Sequence, residues 1–154
     1  MKRPEISLIL SAYHRPKMLF RVLADLMAQT FEDFECIVTD NSTDDGIAAE
    51  QRKIVKRTED RRFRYMRTVE RTDGLGVVTK GRIQVSDCYW SAEYGARSAK
   101  GTWLGFPCDD TQYVDEYLAR MLSAAVMNNW QFVIAGKALV GPLASVARSR
   151  RQSL

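Results

Sequence analysis

Residues 6–16, ISLILSAYHRP, give the clearest local indication of how this chain folds. The aliphatic run Ile6–Leu10 predicts a short β-strand, and the polar residues after it predict a turn. Apolar residues then recur at three- and four-residue steps up to Met27, which is the spacing of one buried helix face. Pro16 suits the first turn of that helix, because a missing N–H costs little there. The stretch therefore predicts a strand, a turn and a helix in succession.

The same alternation of strand and helix continues along the chain. Residues 68–87 carry three glycines and no clear period, so they are predicted to form a loop. Because strands that alternate with helices build βαβ units, the predicted fold class is α/β: a Rossmann-like, mainly parallel sheet with helices on both faces. Further strands are predicted over residues 34–39, 63–66, 103–106 and 132–135, and further helices over 48–58, 91–100 and about 114–126.

The composition is that of an ordinary globular domain. The chain has 154 residues, of which 45% are hydrophobic and 27% are charged, so it can bury a core and is not expected to be disordered. Its formal net charge of +4 is mild and suits a small anionic ligand better than nucleic acid. We predict one domain over residues 1–136 and a basic, poorly ordered tail over residues 137–154.

Cysteine and histidine usage indicates a reducing compartment and no preformed zinc site. The three cysteines, Cys36, Cys88 and Cys108, show no Cys-x-x-Cys spacing, and His14 is the single histidine. No run is long and apolar enough to cross a bilayer, and the first residues lack a signal-peptide pattern. The sequence therefore predicts a cytoplasmic protein without a transmembrane segment.

Polar side chains follow three of the predicted strands, at residues 11–15, 40–45 and 108–110. Because ligands of parallel sheets bind beyond the carboxyl ends of the strands, these clusters predict a polar crevice at one sheet edge. The adjacent carboxylates of Asp109 and Asp110 repel each other unless a cation offsets them, and Mg²⁺ or Mn²⁺ prefers such oxygens together with phosphate. The alternative is a solvated turn that caps the following helix.

Two other residues at this edge also allow two interpretations each. Asp40 could accept a hydrogen bond from a nucleobase N–H, or it could simply cap the turn that it opens. Tyr13 could stack on a base or cover the edge of the sheet. From the residues alone, these alternatives stay open.

Taken together, the ordered blocks resemble a known family. Residues 6–16, 27–35 and 38–45 look like the opening of the GT-A-fold, family 2 glycosyltransferases. Residues 95–104 resemble that family's Gly-x-x-x-Ala-x-Gly-x-aromatic-aliphatic segment, and residues 108–110 take the position of its Asp-x-Asp motif. The resemblance covers residues 5 to about 136.

The resemblance implies a nucleotide-sugar donor, usually UDP-linked, held with Mn²⁺ or Mg²⁺. Carried over by position, Ser11 and Tyr13 would line the base pocket, and Asp40 would bind the uracil edge. Asp109 would bind the ribose, and Asp110 would hold the metal that bridges the diphosphate. In the predicted loop, Lys80 and Arg82 would be neighbours of the diphosphate.

The sequence departs from the family pattern in three ways. Cys108 stands where the motif has its first Asp, and His14 stands where the family usually has Asn. The chain also ends at Leu154, whereas family members carry a long second half that binds the acceptor and supplies a catalytic Asp. Asp115 and Glu116 lie too near a predicted helix start to suggest that base. The expectation is the nucleotide-sugar-binding N-terminal part of such an enzyme, incomplete at its C-terminus.

Three functions remain open. The first is a metal-dependent glycosyltransferase of the hexosyltransferase type, acting on an unknown glycan or small-molecule acceptor and completed by a partner chain, a second copy or an unusually small acceptor site. The second is a non-catalytic or truncated nucleotide-sugar-binding module without the acceptor half and the general base. The third is a generic α/β protein whose acids cap turns and helices. The sugar, the acceptor, the general base and the oligomeric state are not specified by the sequence.

Overall fold

The structure is a computed structural model that describes residues 3–68 and 91–134. The chain divides into two compact units, Met1–Leu118 and Ala119–Leu154. Within the described ranges, no helix is long and apolar enough to cross a membrane. In chain order the elements are β1 (Ile6–Ala12), α1 (Pro16–Met27), β2 (Phe34–Asp40), α2 (Asp45–Arg57), β3 (Phe63–Arg67), α3 (described over 91–97), β4 (Trp103–Gly105) and α4 (Tyr117–Met127).

The four described strands form one sheet in the order β3-β2-β1-β4, and all three neighbouring pairs are parallel. Ala12 at the end of β1 lies beside Asp40 at the end of β2, and Asp40 lies beside Arg67 at the end of β3. The predicted α/β fold class with a parallel sheet is therefore confirmed. The carboxyl ends of β1, β2 and β3 meet at one edge of the sheet, which we call the carboxyl edge.

The hydrophobic core lies around β1 and β2, whose residues are almost all buried. Such near-continuous burial is typical of parallel strands that are covered on both faces. The predicted apolar face of α1 is confirmed, with Pro16 in its first turn. Each fully buried aliphatic side chain contributes about 1.5–3 kcal/mol, so this face is a main stabiliser of the fold. Its buried members are Leu19, Val22, Leu23 and Leu26.

Two helices begin at other residues than the sequence pattern predicts. α2 begins at Asp45 rather than residue 48, because the Asp44 side chain accepts the Ile47 N–H at 2.8 Å and caps the first turn. α4 begins at Tyr117 rather than near residue 114, and the carbonyl oxygen of Asp115 accepts the Thr30 N–H at 2.9 Å. Side-chain caps and tertiary contacts thus decide both starts, and hydrophobic spacing does not report them.

The predictions for the C-terminal part are only partly tested. The strand predicted over residues 132–135 is wrong for residues 132–134, which form no strand, and Phe132 and Ile134 are each 77% exposed. An apolar run becomes a strand only where a partner strand accepts its backbone hydrogen bonds, so periodicity alone overestimated this segment. The predicted tail over residues 137–154 and nearly all of the predicted loop over 68–87 lie outside the described residues.

The segment after α3 is fastened to the start of β1 and β2 by a small polar network. The Ser7 hydroxyl donates to Glu35 Oε1 at 2.7 Å and accepts the Gly101 N–H at 2.8 Å. The Lys100 N–H donates to Glu35 Oε1 at 2.8 Å. These two N–H groups therefore donate to side chains of β1 and β2 and not to carbonyl groups of the helix. Accordingly, α3 ends at residue 97 instead of the predicted residue 100. Most of the family-like segment 95–104 thus supports packing, away from the carboxyl edge.

Gly101→Ala is expected to destabilise the protein by about 1–3 kcal/mol, the usual range for overpacking. A Cβ at this position would lie 2.6 Å from the Ser7 backbone N and 2.8 Å from the Ile6 carbonyl carbon, and strand backbone cannot move aside. In the control Gly46→Ala, the nearest atom is the Asp44 side chain at 3.2 Å, and helix propensity favours Ala. Urea unfolding measures both; equal stability of the two variants would contradict the packing argument.

Candidate functional site

The loop after β1 begins with a backbone conformation that few side chains adopt. His14 has φ 52°, in the left-handed region, and its ring stacks on the Tyr13 ring with centroids 4.4 Å apart. The His14 ring also reaches the loop after β2, where its Nε2 accepts the Thr43 N–H at 3.2 Å. The residue that departs from the family pattern therefore ties together the loops that follow β1 and β2.

Ser42 is buried at the centre of the corner that is formed by the loops after β1 and β2 and by α2. Its Oγ accepts the His14 N–H at 3.0 Å and a hydrogen bond from Gln51 Nε2 on α2, also at 3.0 Å. The Gln51 Oε1 in turn accepts the Arg15 N–H at 3.4 Å. One hydroxyl and one amide thus connect two loops and a helix. The backbone around residues 13–15 is held in place before any ligand binds.

Asp40 ends β2 with its side chain fully buried. Its Oδ1 accepts the Ser42 N–H at 2.7 Å, and its Oδ2 accepts the Tyr65 hydroxyl at 2.6 Å. The turn-capping interpretation of Asp40 is thereby realised at one oxygen, while the second oxygen faces β3. Next in the chain, Asn41 is buried, and its Oδ1 has no hydrogen-bond partner among the described residues. A carboxylate can accept about four hydrogen bonds, so both Asp40 oxygens keep acceptor capacity.

Asp109 and Asp110 share one cationic neighbour. Arg15 Nη1 lies 3.4 Å from Asp109 Oδ1 and 3.9 Å from Asp110 Oδ2. Burial raises the pKa of Asp109; Arg15 opposes this shift, and the nearby Asp110 carboxylate adds to it. The Asp109 side chain is 13% exposed and that of Asp110 is 59% exposed, so the second carboxylate is far more accessible to a ligand.

The alternative in which these two acids cap the following helix does not fit the structure, because α4 begins only at Tyr117. The contacts of the pair go to Arg15 and, for Asp110, to the Thr111 hydroxyl at 3.5 Å. Arg15 is 56% exposed, and ion pairs of this kind contribute at most about 1 kcal/mol. A pair that adds so little to stability can open for a ligand at low cost.

The structure connects most of the predicted site residues along the carboxyl edge. A path of contacts runs from Asp40 through Ser42 and Gln51 to Arg15, and from Arg15 to Asp109 and Asp110. Ser11 Oγ lies 3.4 Å from Thr39 Oγ1 near the ends of β1 and β2, and Tyr13 is 37% exposed. Lys80 and Arg82 lie outside the described residues.

Three residues of this corner were not singled out by the sequence patterns: Arg15, Ser42 and Tyr65. Arg15 belongs to the polar turn after β1, and its position next to the helix start was the available signal. Tyr65 pairs with Val38 in the parallel register, so it lies on the same sheet face as Asp40, two residues further along β2. Only the register reveals that neighbourhood.

Asp109 and Asp110 carry the kind of oxygen ligand that a hard divalent cation prefers. A single atom, Arg15 Nη1, lies within 4 Å of both carboxylates, so the two acids share one cationic neighbour. Carboxylate oxygens suit Mg²⁺ and Mn²⁺. Among the described residues, no group of three or more His, Cys, Asp and Glu could hold a metal ion. The protein would therefore supply one or two ligands, and phosphate and water the rest, as is usual for Mg²⁺.

The parallel sheet with its helices has the GT-A, Rossmann-like α/β fold. Residues 7–81 match the family model described as Glycosyl transferase family 2. The match confirms, over these residues, the resemblance drawn from the ordered motifs. A comparison with curated protein sequences gives no match.

Solved structures with the same fold include those of TarS from S. aureus. TarS 1-349 gives a TM-score of 0.59 at 16% sequence identity, and the match covers 87% of this chain and 39% of that chain. TarS 1-349 in complex with UDP-GlcNAc gives 0.59 at 17% identity, with 87% and 37% covered. The complex with UDP gives 0.59 at 16% identity, with 87% and 38% covered. The chain thus spans about two fifths of the solved chains that it matches.

Ser42→Ala is expected to destabilise the protein by about 1–3 kcal/mol, because the buried Gln51 Nε2 and the partly buried His14 N–H lose their shared acceptor. The matched control is Thr43→Ala, since the Thr43 side chain is exposed and surface substitutions usually change stability by less than about 0.5 kcal/mol. Urea unfolding at neutral pH compares the two. A Ser42→Ala protein as stable as the control would show that this hydroxyl does not hold the corner together.

Proposed function

We propose that this chain binds the nucleoside diphosphate of a sugar donor, of the UDP type, along the carboxyl edge of its sheet. The observation that carries the proposal is the path of contacts from the buried Asp40 carboxylate to the Asp109 and Asp110 pair through Arg15. The carboxyl edge thus has a hydrogen-bond acceptor, Asp40, at one end. At the other end it has two carboxylates that share the Arg15 guanidinium. The family match and the UDP and UDP-GlcNAc complexes of TarS support the same assignment.

In this proposal different residues bind the base, the ribose and the diphosphate of the donor. Tyr13 stacks on the nucleobase, Ser11 lines its pocket, and Asp40 accepts a hydrogen bond from its ring N–H. Asp109, the less exposed acid, binds the ribose hydroxyls. The frame around Ser42 keeps these groups oriented, so little ordering entropy is lost on binding.

We further propose Mn²⁺ or Mg²⁺ as the cofactor, held by Asp110. When bound, such an ion would neutralise the diphosphate and favour its departure as a leaving group. The exposure of Asp110 suits an ion that keeps part of its water shell. Arg15, freed from the carboxylates by the incoming cation, would then be available to the phosphate oxygens, which its guanidinium binds well.

The transfer of the sugar to a glycan or small-molecule acceptor is proposed for the protein of which this donor site is part. A base must remove the proton of the acceptor hydroxyl during transfer. The acids that follow Asp110 in the sequence are Asp115 and Glu116, and both precede α4. This observation favours, as the second candidate, a donor-binding module that does not transfer sugar by itself. Acceptor-dependent release of UDP from a panel of UDP-sugars separates the two.

Asp110→Asn is expected to weaken Mn²⁺-assisted binding of UDP by roughly 10- to 150-fold, the equivalent of about 1.5–3 kcal/mol for one charge-assisted contact. An amide oxygen is a poorer ligand for a hard cation than a carboxylate oxygen. Asp109→Asn is the matched control and should weaken binding less, because its carboxylate is assigned to the ribose. Calorimetric titration of UDP with and without Mn²⁺ measures both variants.

Two outcomes would count against this assignment. Equal losses of Mn²⁺-UDP affinity in the two variants would show that the roles of Asp109 and Asp110 are wrongly divided. Equal heats for the unsubstituted chain with and without Mn²⁺ would remove the metal from the proposal and leave Arg15 as the cation of the site.

A further inference from the structure

Tyr13, the residue proposed to stack on the nucleobase, depends on one neighbour for the orientation of its ring. Among the described residues, the one ring contact or hydrogen bond of the Tyr13 side chain is the stack on the His14 imidazole, with centroids 4.4 Å apart and planes inclined by 25°. Tyr13 stays 37% exposed, so a ligand can still reach it. Whatever fixes the His14 ring therefore also fixes the platform for the base.

The His14 ring is held by the loop after β2. Its Nε2 accepts the Thr43 N–H at 3.2 Å, and the Thr43 hydroxyl lies 3.4 Å from the same nitrogen. The backbone of His14 has φ 52°, a left-handed conformation that non-glycine residues keep only where the surrounding structure imposes it. The His14 N–H donates to the Ser42 hydroxyl at 3.0 Å, so both the ring and the backbone of His14 are bound to that loop.

The bond to Thr43 defines the protonation state of His14. A backbone N–H always carries its proton, so Nε2 must offer a lone pair, and the imidazole must be neutral with its proton on Nδ1. A protonated imidazole carries a proton on both nitrogens. Its Nε2–H would then face the Thr43 N–H at 3.2 Å, and two donors in that arrangement repel each other. Protonation of His14 therefore breaks this bond and releases the ring.

The charged groups around this corner are engaged by other partners. They are Arg15 (with Asp109 and Asp110), Asp40 (with the Ser42 N–H and the Tyr65 hydroxyl), Asp44 (with the first turn of α2) and Asp45 (with Arg67). None of these contacts includes the imidazole. A change in the charge of His14 therefore acts through its own bond to Thr43 and its stack on Tyr13.

We propose that His14 is a positioning residue of the nucleotide site: its neutral ring, bound to Thr43, orients the Tyr13 ring as the platform for the base, and its protonated ring does not. This inference rests on the proposed nucleotide-binding function. Histidine side chains change charge between about pH 5 and pH 8, so the affinity for the base should fall as the pH decreases through this range. Because the loss is that of one hydrogen bond, we expect uridine to bind about 3- to 10-fold less tightly at the lower end.

The experiment is calorimetric titration of uridine, at about pH 8 and about pH 5, into the unsubstituted chain, His14→Gln and His14→Ala. Uridine carries no phosphate that would itself titrate in this range. In His14→Gln the amide oxygen reaches about as far as Nε2 and accepts a hydrogen bond at either pH, so binding should be restored and should lose its pH dependence. In His14→Ala the acceptor is missing, so binding should be weak at both pH values.

Several outcomes would overturn the role of His14 and leave the proposed function standing. One is an equal affinity of the unsubstituted chain for uridine at both pH values. Another is a pH dependence that persists in His14→Gln, because it would then belong to other groups, such as the Asp109 carboxyl, whose pKa is raised by burial. A third is binding of UDP without measurable binding of uridine. Failure of the unsubstituted chain to bind either UDP or uridine would overturn both.

A second measurement applies even if the two variants do not fold. His14 is the single histidine of the chain, so the imidazole ¹⁵N resonances of the untagged protein belong to it. In the neutral ring they should identify Nδ1 as the protonated nitrogen. At a pH where the ring is partly protonated, saturating uridine should decrease the protonated fraction, because binding and protonation are linked reciprocally. A proton on Nε2 in the neutral ring, or an unchanged fraction with uridine bound, would overturn the role of His14.

Discussion

Parallel pairing of β1 with β2 and of β2 with β3 is the constraint on which the rest of this molecule depends. Side chains that end different strands meet at one edge only because the strands run in the same direction, and here Ala12, Asp40 and Arg67 lie side by side in register. Every polar group of the candidate site follows a strand end or contacts a residue that does. The pairing itself is stabilised by the burial of apolar side chains along β1 and β2.

The two ends of the carboxyl edge differ in how firmly they are built. At the Asp40 end, buried and partly buried hydrogen bonds of 2.6–3.0 Å join two loops, α2 and β3, and breaking one leaves its partner unsatisfied. At the Asp109 and Asp110 end, an exposed guanidinium lies 3.4 and 3.9 Å from the carboxylates. Such a contact is weak and easily exchanged. A rigid end and an adaptable end would suit the proposed nucleoside diphosphate, whose phosphates bring their own counter-ion.

The sequence was sufficient for the features that depend on local pattern and insufficient for those that depend on contact. The apolar face of α1, the position of Pro16 and a strand over residues 34–39 follow from hydrophobic spacing, and the structure agrees, with β2 one residue longer at Asp40. The start of α2 depended on the Asp44 cap, and the end of α3 on hydrogen bonds to Ser7 and Glu35, which spacing does not encode. Tyr65 looked like an ordinary strand residue, because its contact with Asp40 follows from the register between β2 and β3.

The central claim is that one nucleoside diphosphate spans both ends of the carboxyl edge. The most direct test is a single calorimetric series on the same protein in Mn²⁺, with uridine, pyrophosphate and UDP as the ligands. If both ends belong to one site, joining the two halves makes the second contact intramolecular, and UDP should bind about 10²–10⁴-fold more tightly than either half. A UDP affinity no greater than that of pyrophosphate would contradict the account, because the base end would then contribute nothing to binding.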